Sequence, residues 1–239
     1  MVVSRDMVDI PSLVHPTSVS ETLDAISAAL FEHRKIPAAE RKRVASWLAE
    51  RQGLPGAYGD TFAGFPGERK RGIVLFTGER ITSASARHIL GEEACRALRL
   101  LGVSDPRVVR ALERADRGLF GCLARAAEDP RNTNPGRYCC GKCTVGLWRN
   151  LLSGGLDRQE ERLRCGAGHL GTLRDGKGQW RVFPFWYTIL ALSEMDLPEA
   201  SRELAYAAPV LERAARRAPG PTRTAVRRQQ LAGRALARC

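Results

Sequence analysis

A chain of 239 residues, 44% of them hydrophobic, is long enough to bury a sizeable core, which excludes disorder throughout and suits one large helical domain or a domain with a tail. Its longest apolar stretch, Val182 to Leu192, is interrupted by Pro184 and too short to span a bilayer, and the opening Met1 to Ile10 mixes acids among its apolar residues, so neither membrane insertion nor export is expected. The formal charge of +12 is uneven: Arg213 to Cys239 holds eight arginines and no acid, a pattern that reads first as a solvated basic tail and only second as a nucleic-acid contact.

Helical signals run almost throughout. Ser18 and Glu21 make a capping box ahead of Leu23, Ile26, Leu30 and His33 at helical spacing. Pro37 suits the first turn of a second helix carrying Val44, Trp47, Leu48 and Arg51. Residues 53–82 read as a long glycine-rich loop in which only Ile73 to Phe76 is fit for a short strand. Helices resume from Ser85 to Leu101, and from the Asp105-Pro106 start through Leu123. A Pro- and Asn-rich loop from Asp129 to Gly136 leads into the cysteines. Thr144 to Leu152, Arg158 to Leu173, Phe185 to Met195 and Pro198 to Arg217 complete the helices, with Pro209 expected to kink or split the last. Residues 1–218 thus read as a single mostly α domain of antiparallel helical hairpins, and residues 219–239 as a basic, flexible tail.

Two segments repeat one another. Trp47 to Tyr58 can be laid over His169 to Trp180: each ends a helix and enters a glycine turn that delivers an aromatic ring. In both, a Leu is followed four residues later by a long polar side chain able to bond free backbone groups at a helix end. These residues, with Arg174 to Trp180 and the helical run Pro184 to Leu192 as the strongest local match, resemble the helical repeat of the terpenoid cyclase and protein prenyltransferase superfamily. That resemblance implies an α/α-toroid-like fold, as an incomplete ring in so short a chain, and an enzyme acting on an apolar or isoprenoid substrate. The acid motif of the class II cyclases and the Asp-x-Cys pair of the prenyltransferases are absent, so no family active-site residue carries over.

Seven cysteines in a long chain without a secretory signal point to reduced thiols, packing or metal, and so to the cytoplasm. Cys140-Gly-Lys-Cys143 is a compact turn whose thiolates can face one metal, and Cys165 with His169 shares one face at helical spacing. Together they make a Cys3His set suited to tetrahedral zinc, with Cys139 able to replace Cys140. The competing reading is packing, since Cys140, Cys143 and Leu147 also fall at one-face helical intervals. Cys95 with His88, the adjacent Glu92 and Glu93, His15, His33 and the aromatic run Phe183, Phe185, Trp186 and Tyr187 read as structural or solvated groups. The expected function is a helical binding or scaffold protein with a structural zinc site, with the toroid enzyme as the alternative.

Overall fold

The computed structural model describes residues 12–130 and 132–239. Helix α1 (Val19–Phe31) begins at the expected cap, where Ser18 Oγ accepts from the Glu21 N–H at 3.1 Å. Glu21 does not close the box. The acid at this helix start is Glu68, whose carboxylate accepts from Ser18 Oγ at 2.8 Å and from the backbone N–H groups of Val19 and Ser20 at 3.2 and 2.7 Å. Glu68 belongs to α3 (Pro66–Arg71), a short helix inside the segment that reads as loop, so a carboxylate is delivered to the positive end of α1 from a distance in sequence.

Five helices stand side by side and run the same way: α1, α4 (Ser85–Leu101), α6 (Gly141–Leu152), α8 (Phe185–Glu194) and α10 (Arg223–Leu236). Their direction follows from paired contacts that climb together. Between α4 and α6, Ser85 meets Cys140 near the amino ends, and Arg99 meets Asn150 near the carboxyl ends. Between α6 and α8, Gly141 lies against Val182 and Phe183 near the amino ends, and Arg149 bonds Glu194 near the carboxyl ends. Arg228 of α10 lies over Trp186, and Arg238 just beyond it reaches the Met195 carbonyl. Helix α10 then returns to α1, through Arg227 on Asp24 at 2.6 Å and Arg234 over Phe31. The remaining long helices, α2 (Ala38–Ala49), α5 (Pro106–Glu128), α7 (Gln159–Leu170) and α9 (Pro198–Arg216), run back in the opposite sense. Arg41 at the start of α2 bonds the Leu101 carbonyl at the end of α4, as antiparallel neighbours require. The fold is therefore mostly α, and its single sheet among the described residues is the two-residue pair β1 (Ile73–Val74) and β2 (Arg80–Ile81). The segment after β1 turns inward and seats Phe76 against Phe31, with ring centroids 5.2 Å apart. Among the described residues no helix is long and apolar enough to cross a membrane.

Three expectations need correction. Residues 219–239 are not a loose tail: α10 buries Leu231, Ala232 and Ala235 against α8 and α9. Helix α9 passes through Pro209 as one element, because Pro209 and Ala205, whose carbonyl loses its helical partner, are both on the exposed face. The adjacent Glu92 and Glu93 are buried rather than solvated, each taken up by a different group of α6. The matched segments do occupy matched places. Each spans the end of a returning helix, α2 or α7, and its polar residue makes a single antiparallel bridge, Arg174 with Trp180 itself but Gln52 with Phe62, beyond Tyr58. Trp180 is buried with its Nε1 donating to Glu203 at 2.7 Å, and Tyr58 is half-buried against His88.

Candidate metal centre

Because α4 and α6 run the same way, their amino ends meet. The chain entering α6 is held by the Tyr138 N–H, which donates to Thr144 Oγ1 at 3.0 Å, so that Cys139 and Cys140 precede the helix and Cys143 falls in its first turn. Gly141 makes this start possible: a Cβ there would stand 2.3 Å from the Val182 carbonyl, so the segment before α8 closes over the helix end only because the side chain is missing. From α4 come Ser85 and His88. His88 Nδ1 lies 3.4 Å from Cys139 Sγ, and one ligand atom from each of His88, Cys139 and Cys143 falls within 4.8 Å of the others. Cys140 Sγ touches both other thiols and lies 3.4 Å from Ser85 Oγ. These residues form a His-Cys-Cys-Cys cluster that could hold a metal ion.

The surroundings prepare each donor. The His88 ring stacks on Tyr58 with centroids 3.4 Å apart, and Tyr58 and Tyr138 share a 2.9 Å hydroxyl contact beside it. Burial is the main cause that brings the His88 imidazole down to about 4, so it is neutral at pH 7 and carries a lone pair. Interaction with the Cys139 and Cys143 side chains holds the Cys140 thiol far below its usual value despite burial. Interaction with Cys140 in turn pushes Cys139 up to about 11, and interaction with Cys139 and Cys140 raises Cys143 well above the ordinary thiol range. Cys140 is also the N-cap residue of α6, where the helix end favours negative charge.

Of the four ligands expected from spacing, the structure gathers Cys140 and Cys143 but not Cys165 and His169. Those two lie on α7, which packs on α6 through Leu163, Gly166, Ala167 and Leu170. At the closest approach a Cβ on Gly166 would sit 2.5 Å from Trp148 Nε1, and that indole donates to the Gly136 carbonyl at 2.7 Å. The interface with α7 is thus filled by Trp148, while Cys143 faces α4. Cys165 and His169 are left half-buried beside the packed stripe, and His169 Nδ1 instead lies 3.3 Å from Thr172 Oγ1. Sequence reasoning placed His88 with Cys95, two turns along α4. Cys95 is fully buried, and burial raises its thiol, so it is a packing residue. The partner that His88 does meet, Cys139, is separated from it by the whole of α5, and no local spacing signals such a pair. The double Cys139-Cys140 did carry a signal: both sulfurs lie in the cluster.

No known protein family matches the chain, no curated protein is similar to it, and no solved structure matches it.

Proposed function

We propose that this chain is a helical binding or scaffold protein in which His88, Cys139, Cys140 and Cys143 hold a structural zinc ion that ties α4 to α6. The observation that carries this reading is the convergence of His88, Cys139 and Cys143 within 4.8 Å, with Cys140 in contact with both thiols. Tetrahedral zinc, with bonds of about 2.3 Å to sulfur and about 2.0 Å to nitrogen, keeps neighbouring ligand atoms roughly 3.5 to 3.8 Å apart. The 3.4 Å separation of His88 from Cys139 is close to that spacing. Three soft thiolates and one neutral imidazole suit zinc in charge and number, and four protein ligands close the shell, which favours structure over catalysis. Thiols kept free for metal need a reducing compartment, which supports a cytoplasmic location.

The run of parallel inner helices supports the α/α-toroid reading of the fold. The interior they share carries Arg96, Arg149, Glu93 and Glu194, chemistry that suits polar contacts and weighs against an enzyme for isoprenoid substrates.

Metal analysis of purified variants separates this ligand set from the one read off spacing. His88→Ala and Cys139→Ser should each lower zinc content from about one per chain and lower thermal stability with it, because binding energy to such a site is folding energy. Cys165→Ser and His169→Ala should keep the metal. The reverse pattern would restore the α7 residues as ligands, and unchanged stability on complete removal of metal would return all of them to packing.

A further inference from the structure

At the opposite end from the thiols, the inner helices enclose a cavity of about 190 Å³ to which all five contribute: Phe31 from α1, Arg96 from α4, Arg149 from α6, Leu190 and Glu194 from α8, and Arg234 from α10. Its base is a buried ion network. Glu194 accepts from Arg96 at 2.9 Å and from two nitrogens of Arg149 at 3.1 Å, and Arg149 also pairs with Glu93, which takes the Tyr187 hydroxyl at 2.5 Å. Two carboxylates therefore answer two guanidinium groups.

The third guanidinium is unanswered. The Arg234 guanidinium lies over Phe31, 3.7 Å from the ring centroid, and among the described residues no carboxylate comes within ion-pair distance of it. The other titratable group on the wall is His33, so the space carries excess positive charge. Burial and the neighbouring Arg149 both lower the pKa of Arg96, as expected where cations crowd a poorly solvated space. Ser27 and Ser193 add hydroxyls, and Leu30, Phe31, Phe76 and Leu190 make the apolar part of the wall. The volume lies below the roughly 300 Å³ at which drug-sized pockets begin, so the occupant is small.

The geometry points to a binding site for a small organic monocarboxylate, its carboxylate held between Arg96 and Arg234 and its apolar body against Phe76 and Leu190. A charge-assisted pair with a guanidinium supplies orientation, and the apolar part of the wall supplies burial. The site is independent of the zinc reading, because none of its residues belongs to the thiol cluster.

Benzoate and benzamide, alike in shape and different in charge, are the probes. Titration calorimetry on the full chain should show one saturable benzoate site, with benzamide at least about tenfold weaker, a difference of about 1.4 kcal/mol. Arg234 is exposed, so Arg234→Ala should fold normally and lose benzoate affinity by a similar factor, and Arg234→Lys should recover part of it. Circular dichroism checks the fold of each variant, and Arg234→Gln replaces the alanine variant if that one is unstable. If benzoate binds no better than benzamide, or if the alanine and glutamine variants bind it as well as the parent, the proposal is overturned. Arg234 would then serve only to offset the negative end of α10.

Discussion

Glu92 shows what a single buried side chain costs this fold. It lies one helical turn beyond His88 on α4, fully buried, with Oε2 accepting from Asn150 Nδ2 at 2.6 Å and Oε1 without a hydrogen-bond partner. Burial pushes its carboxyl up to about 8, against the opposing pull of Asn150 and Arg99. In an unfolded chain a glutamate titrates near 4.3. Between those two values the folded protein keeps a proton that the unfolded chain has released, so stability is greatest below about pH 4.3 and falls as pH rises through about 8. The slope is at most about 1.4 kcal/mol per pH unit. Glu92→Gln keeps the shape and an acceptor for Asn150 while removing the ionisation. Urea midpoints at pH 5, 6.5 and 8 should therefore show the glutamine variant gaining on the parent as pH rises. Parallel curves would mean that Glu92 is ionised in the fold throughout.

The last inner helix, α10, is the element whose role differs most from its sequence pattern. An acid-free run with eight arginines looks solvated, yet three of those arginines are used in packing: Arg227 over Phe76 at 4.3 Å and onto Asp24, Arg228 over Trp186, and Arg234 over Phe31. Guanidinium faces lie on aromatic rings, and long side-chain stems cover apolar surface, so charge in the sequence does not translate into exposure. The buried stripe of α10 is mostly alanine, Ala232 and Ala235 around Leu231, which makes a weak hydrophobic signal. Elements that bury larger apolar side chains, such as α1, α4, α5 and α8, were legible, with α5 running on to Glu128 past the expected Leu123. Ending the chain after residue 218 should lower unfolding stability by at least about 3 kcal/mol, the scale of one buried Leu cut to Ala. Denaturant melts of the truncated and full chains test this, and equal midpoints would make α10 dispensable.

For the whole molecule, running five helices in one direction gathers their amino ends on one side and their carboxyl ends on the other. The thiols sit where helix ends favour negative charge, and Arg149, Arg96 and Arg234 crowd towards the end that favours positive charge. The candidate metal centre was half legible for the same reason. Cys140 and Cys143 are neighbours in the chain and could be read as a pair, but their partner His88 arrives through the parallel packing of α4 on α6, a relation between elements that no spacing encodes. The Cys165 and His169 spacing is a true helical repeat on α7, turned beside the packed stripe rather than towards α4. X-ray absorption spectroscopy of the zinc-loaded chain tests the central claim most directly. It should show three sulfur neighbours at about 2.3 Å and one imidazole nitrogen at about 2.0 Å, with the imidazole signal lost in His88→Ala and kept in His169→Ala. A shell of oxygen and nitrogen without sulfur, or an imidazole signal that follows His169 instead, would contradict it.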